Sequence, residues 1–260
     1  MDNSKLKIAA IQYNMKWQDV DSNLKKLEET WLKNLEPDTA IVVLPEMFST
    51  GFTMDTSLAE QMNGRTILWM KNIVKEKQVA ICGSLPIIEE GQLRNRFIWV
   101  EPNQALSFYD KRHLFTFGKE DQYYKKGNVN KLITFRGWKI LPQICYDLRF
   151  PVWSRNVDNY DLMIYIASWP NKRTNAWSQL LIARAIENLS FVCGVNRVGN
   201  DGNKLSYDGQ SVIIDHEGNI LGKLDAEEAI LYATLDRNKM MTFRNKFGFL
   251  EDADNFNINA

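Results

Sequence analysis

The chain has 260 residues, 45% of them hydrophobic and 25% charged, as expected of a globular protein with a sizeable core. Lys+Arg equals Asp+Glu at 32 each, so the net charge is zero and no overall field favours nucleic acid or an anionic membrane. The longest apolar runs are strand-sized, well short of the roughly 20 residues of a membrane helix, and Met1-Asp2-Asn3-Ser4-Lys5 leads into a strand pattern with no signal-peptide core.

Strand and helix patterns then alternate. Residues 7–13 read as a strand, and Val20, Leu24, Leu27 and Trp31 follow at helical spacing. Residues 40–44 form a second strand pattern ending at Glu46. Ile67, Met70 and Val74 mark a helix, and 79–84 the next strand. Residues 97–100 and 106–109 predict one hairpin; 131–135 and 138–144, flanking Arg136-Gly137, predict another. Residues 162–167 are apolar without alternation, as in a strand covered on both faces.

Residues 177–189 predict a helix with Leu181, Ala185 and Leu189 on one face; 191–195, 211–214 and 230–235 predict strands, with a turn at 216–219. From Lys239 to Ala260 the chain carries Phe243, Phe247, Phe249, Leu250 and Phe256 without a clear period, and is expected to pack on the body or on a partner subunit. No repeat or linker interrupts the chain. One domain over 1–260 is expected, with 236–260 as a tail, in a fold of sheets covered by helices.

Three widely spaced cysteines argue against a disulfide framework and fit a reducing cytoplasm. Cys82 and Cys193 lie inside apolar runs and read as small core groups. Neither His113 nor His216 stands at metal-ligand spacing from a cysteine, so no metal site is expected.

Cys145 is different. It closes the apolar run that begins at Trp138 and precedes the polar stretch Tyr146-Asp147-Leu148-Arg149-Phe150-Pro151. Pro151 fits the first turn of a helix, and a thiol at such a strand-to-helix turn can be turned into a thiolate by nearby N–H groups and a cation. Glu46, just past a buried strand, reads either as a solvated strand end or as a general base for that thiol. Lys111 lies among Asp110, Arg112 and His113, so it reads either as part of a surface charge cluster or as the cation beside thiolate and oxyanion.

A Glu, a Lys and a Cys, each at a strand end, resemble the nitrilase, or carbon–nitrogen hydrolase, superfamily. The resemblance rests on Leu44-Pro45-Glu46, on residues 109–114 and on residues 144–151, with Arg184-Ala185-Ile186-Glu187-Asn188 similar to a family helix pattern. It implies a four-layer α-β-β-α sandwich, a Glu46–Lys111–Cys145 catalytic set acting through a thioester without cofactor or metal, and subunits paired as a homodimer. It also implies a second glutamate, Glu120, that orients the lysine or the substrate. Gln143 departs from the small residue of many relatives and leaves the pocket shape open.

Residues 145–151 and Ala167-Ser168-Trp169-Pro170 look most like the ω-amidase branch. That likeness implies hydrolysis of the terminal amide of a small α-keto acid amide, 2-oxoglutaramate or 2-oxosuccinamate. The distal carboxylate of such a substrate calls for a cation, for which Arg149 comes first and Arg173 second. Tyr146, Phe115 and Trp169 are candidate pocket walls. The alternatives are another short-amide or N-carbamoyl amino acid hydrolase, a nitrilase, a non-catalytic binding protein on the same fold, and a Cys–His enzyme using His113 or His216.

Overall fold

A computed structural model describes residues 3–258. In chain order the elements are β1 (Lys5–Gln12), α1 (Val20–Lys26), β2 (Ile41–Val43), α2 (Arg65–Lys77), β3 (Ala80–Glu89), β4 (Gln92–Val100) and β5 (Leu106–Asp110). There follow β6 (Ile133–Phe135), β7 (Trp138–Ile144), β8 (Leu162–Ala167), α3 (Thr174–Asn188), β9 (Phe191–Asn196), β10 (Val198–Asn200) and β11 (Ser206–Asp208). Last come β12 (Val212–Ile214), β13 (Ile220–Lys223), β14 (Ala229–Asp236) and α4 (Arg237–Phe247).

Two six-stranded mixed sheets result, ordered β14-β1-β2-β3-β4-β5 and β13-β12-β9-β8-β7-β6, with β10 and β11 as a separate hairpin. Their inner faces share one core: Ile8, Val43, Cys82 and Trp99 from the first sheet pack with Ile140, Ile144 and Ile164 from the second. Alternate residues of the first sheet, Ala9, Val42 and Ile81, face the other way and meet Leu24 of α1 and Ile67, Met70 and Val74 of α2. Trp177, Leu181 and Ala185 of α3 join the core from the second sheet's side. The layers are therefore α-β-β-α, and β2, β3, β7, β8 and β9 are apolar because both faces are covered.

The structure extends or alters several expectations. The strand at 79–84 runs on to Glu89 and turns at Glu90-Gly91, both at positive φ (51° and 71°), into a long hairpin with β4. The hairpin at Arg136-Gly137 forms as its residues predict, again with positive φ at both (49° and 81°). The helical pattern beginning at Val20 leaves α-geometry at Leu27 and widens into a π turn through Trp31.

The tail is the largest correction. Residues 237–247 form a helix, capped by Asp236 accepting from Asn238 N and Lys239 N, and ended by Gly248 at φ 60°. Its two buried positions are Met240 and Arg244, one turn apart. One of them is an arginine, donating to the carbonyls of Leu189 and Tyr160, so an apolar count could not register the period. Residues 259–260 of that tail lie outside the described residues.

Pro151 is also corrected. A 3-10 turn at Cys145–Arg149 is followed by plain turns, and no α-helix starts at Pro151. Pro142 is tolerated inside β7 because β6 pairs only as far as Ile140, which leaves no ladder position for the missing N–H. Among the described residues no helix is long and apolar enough to cross a membrane.

Candidate active site

The site forms where β2, β5, β7 and β8 end. Glu46 lies three residues past β2, Lys111 directly after β5, Cys145 directly after β7 and Ser168 directly after β8. Two of these turns are strained: Cys145 has φ +46°, and Met47, beside Glu46, has φ +45°. A non-glycine residue held left-handed persists only where its surroundings dictate it.

Around Cys145, Asp147 supplies that constraint. Its Oδ2 accepts from Ile144 N at 3.0 Å and from the Tyr109 hydroxyl at 2.9 Å, while Oδ1 accepts from His113 N at 2.9 Å and lies 2.8 Å from His113 Nδ1. The indole of Trp153 donates to the Tyr109 hydroxyl at 3.0 Å. This buried network ties the Cys145 turn to the end of β5, so the thiol and Lys111 are positioned by one framework.

Glu46, Lys111 and Glu120 are all completely buried. Lys111 Nζ donates to Glu46 Oε1 at 2.7 Å and to Glu120 Oε2 and Oε1 at 2.9 and 3.1 Å. Asn95 Nδ2 bridges the two carboxylates, at 2.8 Å to Glu46 and 3.0 Å to Glu120. Ser168 N donates to Glu46 Oε2 at 2.9 Å, and Phe115 N to Glu120 Oε2 at 2.6 Å. Each carboxylate oxygen is engaged and all three ammonium donors are used, as a buried ionic cluster requires.

Burial would lower the Lys111 ammonium, but Glu120 and Glu46 more than offset it, and its pKa lies above the ordinary lysine value. Glu120 is held above the usual carboxylate range by burial, in spite of Lys111. The Cys145 thiol is pushed well up by burial and by the charge of Glu46, only partly countered by Lys111, and it hydrogen-bonds to Glu46. Burial together with two carboxylates outweighs a single cation, so the resting group is a thiol beside a carboxylate that can take its proton.

Above this cluster opens a cavity of about 280 Å³ lined by Glu46, Lys111, Cys145, Tyr146, Phe115, Trp169, Arg149 and Arg173, together with Phe52, Met54, Asp201, Asn203 and Tyr207. All the site residues singled out in the sequence border it except Glu120, which lies behind Lys111. Arg149 is exposed and rests on the Trp169 ring at 5.0 Å; Arg173 is half-buried over the Phe115 ring at 5.1 Å. Among the described residues neither has a carboxylate partner. Tyr146 packs edge-on to Phe115.

Gln143 does not shape this cavity. It is buried, with its amide donating to the Pro142 carbonyl and to Asn130. His113 stacks on Phe150 and bonds to Asp147, and His216 sits against Phe191 and Phe243, so neither histidine is paired with Cys145. Cys82 and Cys193 are buried strand residues. Sequence reasoning missed Asn95, Tyr109, Asp147 and Ser168. Asp147 alone carried a signal, as an acid two residues past a candidate nucleophile.

The carbon-nitrogen hydrolase family model matches residues 7–245. The chain is 42% identical to "Omega-amidase YafV" of Escherichia coli K12 over 256 residues, covering 97% of this chain and 98% of that one. It is 30% identical to "2-oxoglutaramate amidase" of Bacillus subtilis, with 94% and 96% covered. A solved structure of XC1258 from Xanthomonas campestris, a CN-hydrolase superfamily protein with an arsenic adduct in its active site, superposes with a TM-score of 0.95 at 38% identity, covering 98% and 99% of the two chains. By this match along nearly its whole length, the chain belongs to the carbon–nitrogen hydrolase family.

Proposed function

We propose that this hydrolase is an ω-amidase that converts a small α-keto acid amide, 2-oxoglutaramate or 2-oxosuccinamate, to the dicarboxylate and ammonia. The observation that carries the reading is the pairing of a buried Glu46–Lys111–Cys145 cluster with a small cavity whose outer wall holds two arginines that lack carboxylate partners among the described residues. The cluster suits acyl transfer, and the arginines suit the carboxylate at the far end of the substrate. The activities named for the relatives support the same choice.

In this mechanism Glu46 takes the Cys145 proton as sulfur attacks the amide carbon. Lys111 and the Tyr146 N–H stabilise the oxyanion. Glu46 returns its proton to the nitrogen, the C–N bond breaks, ammonia leaves and a Cys145 thioester remains. Glu46 then draws a proton from water, which adds to the thioester carbon and releases the acid and the thiol. Glu120 holds Lys111 in place. The same reading takes the working form to be a cytoplasmic homodimer; the compartment rests on the three widely spaced cysteines, the dimer on the family resemblance, and sedimentation tests the dimer.

Ammonia release from 2-oxoglutaramate, beside glutamine, an N-carbamoyl amino acid and a simple nitrile, tests the substrate. Strong turnover of the keto-amide, lost in Cys145→Ala, is expected. Preference for the carbamoyl compound or the nitrile would replace the substrate assignment.

A further inference from the structure

We infer that the Tyr207 phenol oxygen is a specificity-determining hydrogen-bond acceptor for the N–H of the scissile amide. The inference rests on the amidase reading and concerns a wall of the cavity that the proposed mechanism does not use.

Tyr207 lies on β11 and borders the same cavity as Cys145, Glu46 and Lys111. Its hydroxyl donates to Asp201 Oδ2 at 2.8 Å. The other oxygen of Asp201 accepts from Asn203 N at 2.8 Å and from Leu205 N at 2.9 Å. A carboxylate has no proton to give, so the phenol must be the donor in its bond to Asp201, and its oxygen keeps a lone pair for a second partner. Burial and the neighbouring Asp201 push the phenol well above its ordinary pKa, so it stays neutral.

The ring is held in place. The buried guanidinium of Arg197 lies 4.7 Å from its centroid and is itself fixed by the carbonyls of Met15, Val198 and Asn200. The loop before it is packed against Trp17: a Cβ on Gly202 would lie 2.3 Å from the indole nitrogen.

The carboxylate of Glu46, also on the cavity wall, is charged and already engaged by Lys111, Asn95 and Ser168. An α-keto acid amide has no hydrogen-bond donor except its NH2 group. A neutral, oriented acceptor is therefore suited to that nitrogen. It would align the amide for attack and follow the nitrogen as it gains a proton and departs as ammonia.

Matched substrates test this. The amide 2-oxoglutaramate and the 5-methyl ester of 2-oxoglutarate form the same thioester, one losing ammonia and the other methanol, but the ester has no N–H. Tyr207→Phe should lower kcat/KM for the amide about tenfold or more, as expected for a lost active-site hydrogen bond, and leave the ester within about twofold. Asp201→Asn should lower the amide-to-ester ratio as well, because an amide at 201 can donate to the phenol oxygen and occupy its lone pair. Equal losses on both substrates, or no loss on either, would overturn the inference. If the wild type releases no ammonia from 2-oxoglutaramate, the proposed substrate fails, and the Tyr207 comparison is made with the amide and ester of whichever short acid the enzyme turns over.

Discussion

Lys111 Nζ lies 2.7 Å from Glu46 Oε1, with neither side chain exposed to solvent. With Glu120 on its other side, one ammonium is shared by two carboxylates. Removing one partner of such a buried cluster costs about 3–5 kcal/mol. Lys111→Met is expected to lose stability of this order near pH 8, measured by denaturant unfolding, and to lose turnover about a thousandfold. The penalty should shrink near pH 5. Burial already holds the Glu120 carboxyl above the usual range and Lys111 opposes this, so without the cation its folded pKa rises further; its contribution is fully present below the unfolded pKa and is lost as pH rises through the folded one. An equal penalty at both pH values would contradict this.

Glu46 raises the Cys145 thiol, both by its charge and by the hydrogen bond between them. Glu46→Gln should therefore do two opposite things. Hydrolysis falls by about two to four orders of magnitude, because the proton acceptor is gone. Alkylation of Cys145 by iodoacetamide at neutral pH becomes faster than in the wild type, because the thiol ionises more readily. Slower alkylation in the variant would mean that the carboxylate does not hold the proton on sulfur.

Asp147 holds the Cys145 turn without bordering the cavity. Asp147→Ala strands Ile144 N, His113 N and the Tyr109 hydroxyl, a loss of about 2–4 kcal/mol. The melting temperature should drop by several degrees and kcat should fall more than KM rises. Tyr109→Phe, which removes one arm of the network, should give a smaller loss in the same direction.

Arg149 and Arg173 are separable by kinetics. Replacing the arginine that grips the substrate carboxylate by alanine should raise KM for the keto-amide roughly tenfold or more, as for loss of a charge-assisted hydrogen bond, with a smaller change in kcat. The other replacement should change KM much less. If neither affects KM, the carboxylate is bound elsewhere.

His216 gives the fold an acid-sensitive point. Its ring is buried against Phe191 and Phe243, its Nδ1 has no partner among the described residues, and burial lowers its pKa in spite of Asp215 and Glu217. A depressed folded pKa means that the contribution is present above the unfolded value of about 6.5 and is lost as pH falls through the folded one. The wild type should lose more thermal stability between about pH 7.5 and pH 5.5 than His216→Gln does. Identical losses would assign the acid sensitivity to other groups.

The legible parts of this protein were those with local signals. Buried strands such as 162–167 are continuous apolar runs, and Arg136-Gly137 supplies the positive-φ pair that a tight hairpin needs. Glu46, Lys111 and Cys145 stood out because each follows a strand. What stayed hidden depends on distant partners. Asn95 sits inside β4 as an ordinary polar residue until the fold brings Glu46 and Glu120 to its amide. The burial of Asp147 follows from Tyr109 and His113, more than thirty residues upstream. Helix α4 was obscured because Arg244 occupies a core position through its hydrogen bonds, although Asp236 and Gly248 bracket it as caps. How far burial and the neighbouring charges raise the Cys145 thiol was not legible either, because both follow from packing with Glu46, Lys111 and Glu120, which are distant in the chain.

The most direct measurement is ammonia release from 2-oxoglutaramate during progressive alkylation of Cys145, with the modified site identified by peptide mapping. Cys145 borders the cavity, whereas Cys82 and Cys193 have no exposed surface. Activity should fall in proportion to Cys145 modified and reach zero when modification is complete. Full turnover by enzyme completely alkylated at Cys145 would contradict it.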